Sequence, residues 1–86
     1  MLNQVILVGK IIDREEKVVD NGTHAVILTI DTGNAQIPVW GRDDMAAHML
    51  DMDMNTTLGV KGRAHNSPDG VNIIVEKLTF IKGGKA

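Results

Sequence analysis

The sequence of 86 residues contains no cysteine and no tyrosine, and it has only two aromatic residues in all. Without cysteine, the chain can form neither a disulfide framework nor a cysteine-ligated zinc site. No apolar run approaches the ~18 residues that a membrane-spanning helix needs, and no signal peptide with a basic head and a small-residue cleavage site is present. We therefore expect a cytoplasmic protein that uses no metal ion and no other cofactor.

Basic residues are also in the minority, which gives a net charge of −2. Such a balance is unusual for a protein that binds nucleic acid. The charge is unevenly distributed, because residues 1–60 have four Lys or Arg against nine Asp or Glu, whereas residues 61–86 have five against two. Salt limits the reach of a charge to about 8–10 Å, so a local basic strip can still bind phosphates. Ordinary scatter of surface charge explains the same pattern.

The length predicts one domain with one core, over residues 1–82, followed by a frayed end at residues 83–86. A chain of this size buries only about 60% of its unfolded surface, so an isolated copy should be marginally stable. The nearly continuous apolar stretch Val5–Ile12 predicts a strand with two apolar faces. One face would pack in the core, and the other could contact a second strand or a second copy of the protein.

Turn residues divide the chain into short apolar runs at the spacing of a small all-β fold. Five of these runs predict strands, which are Val5–Ile12, His24–Ile30, Gln36–Trp40, Thr57–His65 and Val71–Ile81. We expect Asp13–Glu16 to be a solvated bulge or loop and residues 20–23 to form a tight hairpin turn.

One helix is predicted, from Asp43 to about Met52, between the third and fourth strands. Met45 and Met49 recur with Met52 at i, i+4 and i+7, a spacing typical of a helix face that packs on a core. Five strands with a helix between the third and fourth is the order of an oligonucleotide/oligosaccharide-binding (OB) barrel. Barrels of this type bind single-stranded nucleic acid on the faces of their second and third β-strands and with two flanking loops.

Alternation along the predicted strands indicates which side chains face outward. Unpaired bases stack on aromatic rings, and phosphates attract Lys and Arg, so outward side chains of these kinds are candidates for contact with a nucleic acid. The candidates are Trp40 on the third strand and Arg42 just past its end, Lys61, Arg63 and His65 on the fourth, Ile27 and Thr29 on the second, and Lys10 on the first. Trp40 could instead cap the barrel or contact another copy. Lys61 and Arg63 could belong to an ordinary solvated surface.

Phe80 is the only aromatic residue besides Trp40, and it lies at an apolar position of the last predicted strand. We expect its ring to pack in the core. His24 and His65 are single histidines on strands, so a metal site is not predicted at either position.

Three segments of the chain occur together, in the same order, in one known family. They are Asn3-Gln4-Val5-Ile6-Leu7-Val8-Gly9, Ile37-Pro38-Val39-Trp40-Gly41-Arg42 and Val60-Lys61-Gly62-Arg63. The chain thereby resembles the single-stranded DNA-binding proteins of bacteria and phages. This resemblance implies an OB barrel, a homo-oligomer (dimer or tetramer), and sequence-independent binding of single-stranded DNA or RNA in replication, repair or recombination. It also places Trp40 at a position where family members commonly stack a base.

The chain departs from that family in having few aromatic residues, short loops and no acidic tail. Primosomal replication protein N, a barrel without a tail, also resembles this chain. The alternative function is therefore a protein-interaction module of the primosome-adaptor type, with weak or no DNA binding. An enzyme is not predicted, since the sequence has no nucleophile–base pair at a recognisable spacing and no phosphate-binding loop.

Overall fold

A computed structural model describes residues 1–18, 22–68 and 70–83. Its elements, in chain order, are β1 (Val5–Val18), β2 (His24–Asp31), β3 (Gln36–Arg42), α1 (Asp43–Leu50), β4 (Thr57–Ser67) and β5 (Gly70–Lys82). Within these three segments no helix has the length and apolar character needed to cross a membrane. Asp20 and Asn21 of the predicted hairpin turn, and residues 84–86 of the predicted frayed end, lie outside the described residues. The domain boundary at residue 82 stays a prediction.

The strands close into a barrel in the order β1-β2-β3-β5-β4, with β4 returning to β1. The first half of β1 pairs with β4 and its second half with β2, and all pairings are antiparallel except β3 with β5. That parallel contact is short and joins Val39 to Ile73 and Trp40 to Ile74. The predicted fold is confirmed, namely an all-β five-stranded OB barrel with one short helix between the third and fourth strands.

The core lies inside the barrel and is closed by α1. Its buried side chains in the described residues are Ile11, Val26, Leu28, Ile30, Val39, Ala46, Met49, Leu58, Val60 and Val75. Met49 is fully buried, while Met45 and Met52 pack against the same cluster, so the methionine stripe faces the core, as predicted. The helix itself ends at Leu50, so Met52 packs from the segment that follows it. A Cβ atom at Gly41 would collide with Met49 Sδ, and the glycine therefore allows the helix to approach β3 closely.

Of the solvated bulge or loop predicted at residues 13–16, a bulge is present just before these residues, but the loop is wrong, because β1 continues to Val18. A register shift between Ile11 and Asp13 marks a bulge, after which the chain pairs with β2. Ile11 at the bulge is hydrogen-bonded to the two residues that precede β4. Its N donates to Thr56 O at 2.9 Å, and Asn55 N donates to Ile11 O at 2.8 Å. The charged residues after the bulge therefore line an exposed strand, where charge discourages unwanted edge pairing.

The predicted core position of Phe80 is also wrong, since 64% of this residue is exposed. Phe80 pairs with Leu58 near the end of the sheet. The contact of β5 with β3 is confined to Ile73 and Ile74, so β3 does not extend over this end of β5. The ring lies on a rim that the core does not reach.

Candidate nucleic-acid interface

A row of outward side chains crosses four strands of the barrel at the level of Trp40. Ile27 on β2 is paired with Trp40 on β3. Trp40 is paired in turn with Ile74 on β5, and Ile74 with Arg63 on β4. Neighbouring strands lie about 4.8 Å apart, so the Cα atoms of Trp40 and Arg63 are separated by about two strand spacings, roughly 10 Å. The indole and this guanidinium group therefore belong to one surface.

A surface depression of about 140 Å³ lies beside the row and is lined by Arg42, Arg63, His65 and Ile74. The two arginines and the histidine are exposed, and Ile74 supplies an apolar floor next to Trp40. A guanidinium group is a planar donor that matches phosphate oxygens. The depression can thus hold a phosphate while an adjacent base contacts apolar surface. The outward surface formed by Ile27, Trp40, Arg42, Arg63, His65 and Ile74 is called the Trp40 face below.

Ile27 faces outward, as alternation predicts, but only 8% of it is exposed. Its neighbour Ala25 is fully buried, and neither residue belongs to the core cluster inside the barrel. Their cover must therefore come from outward side chains, and their paired neighbours on the flanking strands include Trp40, Lys17 and Arg42. Ile27 is accordingly a support beneath the indole and is not an open contact for a ligand. The indole itself is partly exposed.

Thr29 lies one step further along the outward side of β2, opposite Pro38. It is partly buried, and it borders the Trp40 face on the side away from Arg42. The predicted site residues on β2 therefore sit under or beside the indole and contribute little open surface.

Sequence reasoning missed Lys17, whose Nζ lies 5.6 Å from the centroid of the Trp40 ring. Lys17 is opposite Ala25 near the end of β1. Since β1 was predicted to end at Ile12, Lys17 was not assigned to any strand face. If β1 is continued through the bulge, Lys17 and Glu15 fall on the same side of the strand. Glu15 pairs with the outward residue Ile27, so Lys17 also faces outward.

Two carboxylates border the cationic groups. Glu76 Oε2 lies 4.0 Å from Arg63 Nε, with about half of each side chain exposed, and Glu15 is opposite Ile27. Exposed ion pairs of this kind contribute only about 0–1 kcal/mol. The Arg63 guanidinium is therefore free to exchange this partner for a phosphate.

The segment of β4 that carries Arg63 and His65 is fastened by Asn3. The side chain of Asn3 donates from Nδ2 to Ala64 O at 2.8 Å and accepts at Oδ1 from Ala64 N at 2.9 Å. This reciprocal pair continues the β1–β4 ladder beyond its last backbone partners, Val5 and Gly62. Asn3 thus fixes the backbone between two side chains of the Trp40 face.

Lys10 and Lys61 lie outside the Trp40 face, at different distances from it. Lys61 is paired with Ile6 and Lys77, and Lys10 is opposite Thr57 and Asp31. Lys61 is two residues from Arg63 on the same side of β4 and lies at the border of the Trp40 face. Lys10 is remote from that face. The structure therefore brings together Trp40, Arg42, Arg63 and His65, and it separates Lys10 from them.

Comparison of the sequence with protein-family models and with curated proteins finds no match. Among solved structures, the fold is that of the OB barrels of single-stranded DNA-binding proteins, and the resemblance predicted from the sequence is confirmed at the level of the fold. One similar structure is the protein PriB from Ralstonia solanacearum, with a TM-score of 0.79 and 16% identity over 93% of this chain and 98% of that one.

Two further structures belong to proteins described as single-stranded DNA-binding. The mitochondrial protein Rim1 from S. cerevisiae has a TM-score of 0.83 and 14% identity over 96% of this chain and 97% of that one. The protein from Thermus aquaticus has a TM-score of 0.79 and 25% identity over 99% of this chain. This chain covers 43% of the Thermus protein and so spans less than half of its length.

Proposed function

We propose that this protein binds single-stranded DNA by stacking a base on Trp40 and contacting phosphates through Arg42 and Arg63. The observation that carries the proposal is the cross-strand row that places the indole and Arg63 on one outward surface. The depression between Arg42 and Arg63 supports it, because a phosphate there would lie next to a base on the indole. The names of the similar structures, which describe single-stranded DNA-binding proteins, support it further.

Binding of this kind is independent of sequence. Every base has a π-face that can stack on an indole, and every nucleotide supplies a phosphate. Phosphate contacts position a nucleic acid but carry no sequence information. We therefore propose a binding protein, and not an enzyme, that acts on cytoplasmic DNA exposed during replication, repair or recombination.

The expected affinity of one Trp40 face is modest. A stacked base contributes roughly 1–3 kcal/mol. Two phosphate contacts, through Arg42 and Arg63, give a log–log salt slope near −1.4 on a single strand, which is roughly a sevenfold loss of affinity between 50 and 200 mM salt. A third contact would bring the slope near −2 and the loss to roughly twentyfold. We expect about micromolar affinity for one copy. Bridging of two or more copies by one strand would raise it by a factor of about 10² through effective concentration.

We propose that the protein is a homo-oligomer that associates through the first half of β1. Ile6 and Val8 face outward there, with 68% and 54% of each exposed, and they leave an apolar strip uncovered. Sedimentation should show a dimer or tetramer for the wild type and a shift toward monomer for Ile6→Glu. Val71→Glu is the control, since Val71 is 67% exposed and lies at the start of β5, outside the strip formed by Ile6 and Val8. Equal sedimentation of wild type and Ile6→Glu would contradict this assembly.

A second candidate function is a protein-interaction module built on the same barrel. The exposed strip at Ile6 and Val8 favours it, and so does the presence of a single aromatic ring on the Trp40 face. In that case the apolar strip would bind a partner protein and the Trp40 face would bind DNA weakly or not at all.

Competition for a labelled (dT)20 oligonucleotide tests the main proposal. Mixed-sequence single strands should compete within a few-fold of unlabelled dT, and poly-rU should compete similarly, because stacking and phosphate contacts are common to both. Duplex DNA should compete at least ten times less well, since its base faces are already stacked. Equal competition by duplex and single-stranded DNA would show that the surface attracts phosphates without stacking bases. Absence of saturable binding would favour the interaction module.

A further inference from the structure

Lys17 reaches the indole of Trp40 from two strands away. It lies on β1 opposite Ala25 of β2, and Ala25 is in turn opposite Arg42 of β3. From there its ammonium nitrogen lies over the Trp40 ring, 5.6 Å from the centroid. The aliphatic part of the side chain must therefore cross the outward surface of β2.

The indole is partly exposed, and the surroundings of its two faces differ. Ala25 and Ile27 face outward from β2, are buried, and lie outside the core cluster, which is the burial expected if the indole and the stem of Lys17 rest on them. One face of the ring is then directed to the sheet and the other to the ammonium group. A base can stack on this ring only where the ammonium group now lies.

We propose that Lys17 is a further DNA-binding residue, whose ammonium group leaves the indole when a base stacks there and then contacts a neighbouring phosphate. This inference rests on the proposed function of the Trp40 face. The exchange is easy, because an exposed cation–π contact changes an equilibrium only about two- to fivefold. Every stacked base has phosphates beside it, so the displaced cation gains a partner of opposite charge.

The exchange predicts two opposing effects of removing the cation. Without the ammonium group, the base no longer has to displace a cation from the ring, which favours binding slightly at all salt concentrations. One phosphate contact is lost as well, and this loss matters most at low salt. Lys17→Met keeps an apolar stem over Ala25 and removes the charge alone.

Salt-dependent titration of Lys17→Met with a (dT)20 oligonucleotide tests the inference. Relative to wild type, the log–log salt slope should become shallower by about 0.7, so that the variant binds more weakly at 50 mM salt and equally or more tightly at high salt. The control is Lys10→Met, which removes a lysine from the same strand on the remote side and should leave the slope unchanged. In the absence of DNA, acrylamide should quench Trp40 more strongly in Lys17→Met than in wild type or Lys10→Met.

The outcomes separate the inference from the function on which it rests. If wild type binds dT but Lys17→Met has the wild-type slope, Lys17 does not contact phosphate and only this inference is overturned. If wild type shows no saturable binding at 50 mM salt, the proposed function and the inference both fail.

Discussion

Trp40 and Arg63 face the same side of the barrel on two strands separated by β5, with Ile74 between them. Trp40 lies on β3 and Arg63 on β4, which follow one another in the sequence with α1 between them. In the closed barrel β5 is inserted between the two strands and sets the spacing of the indole and the guanidinium group. A base and a phosphate of one nucleotide chain can therefore meet these two groups together.

Replacement of Trp40 by alanine should weaken binding of dT oligonucleotides by roughly 5- to 150-fold, which corresponds to the 1–3 kcal/mol of one stacked base. Trp40→Phe should retain most of the affinity, since a smaller ring still stacks. Phe80→Ala is the control, because Phe80 is an exposed aromatic residue on a different rim of the barrel. Anisotropy titrations with labelled oligonucleotide measure all three. If Phe80→Ala weakened binding as much as Trp40→Ala, the assignment of base stacking to the Trp40 face would be wrong.

Arg42→Met and Arg63→Met should each make the salt slope of binding shallower by about 0.7, since each would remove one phosphate contact. The affinity loss should be similar for every oligonucleotide sequence. Lys10→Met tests the predicted contribution of Lys10, which the structure places opposite Asp31 and away from the Trp40 face. If the salt slope changed for Lys10→Met but for neither arginine variant, the phosphates would contact the surface around Lys10 and not the Trp40 face.

Asn3→Ala should lower the free energy of unfolding by about 1 kcal/mol, because two hydrogen bonds to Ala64 are lost at an exposed position. Chemical denaturation at a fixed protein concentration measures this difference. Amide hydrogen exchange should accelerate selectively at Ala64, whose N–H donates to Asn3 Oδ1. Gln4→Ala, a change at the exposed neighbouring position, should leave that amide as it is in the wild type. Unaltered exchange at Ala64 in Asn3→Ala would contradict the fastening role.

Gly41→Ala should destabilise the fold by about 1–3 kcal/mol, since its methyl group would collide with Met49 Sδ and force α1 away from β3. Gly59→Ala is the control, because a Cβ atom there would make only ordinary contacts, the nearest being Thr79 Cβ at 3.6 Å. Thermal unfolding of both variants gives the comparison. Equal stability of the two variants would mean that the helix does not pack on β3 as described.

The barrel itself could be predicted from the sequence because its signals are local. Strict alternation in β2 and β4 places Val26, Leu28, Leu58 and Val60 in the core, and the spacing of the methionines fixes the inner face of α1. Alternation in β3 and β4 likewise directs Trp40 and Arg63 outward. These features depend only on neighbours along the chain.

The remaining features depend on contacts between distant segments. The charged residues 13–16 look like a solvated bulge or loop, but beyond a bulge at Ile11–Asp13 they form a strand, because β2 pairs with them. Phe80 is apolar, but the sheet ends before it can be covered. The burial of Ile27 and the approach of Lys17 to Trp40 require knowledge of which strands are adjacent. Periodicity along a single strand contains no information on adjacency.

The central claim is that the indole and the cations of the Trp40 face bind one single strand together. Titration of the intrinsic fluorescence of Trp40 with poly-dT at 50 and 200 mM salt tests it most directly, because the sequence contains no other tryptophan. The account predicts saturable quenching at 50 mM salt and an affinity at 200 mM that is roughly sevenfold lower with two phosphate contacts and roughly twentyfold lower if Lys17 adds a third. An indole emission that does not change with poly-dT at 50 mM salt would contradict it.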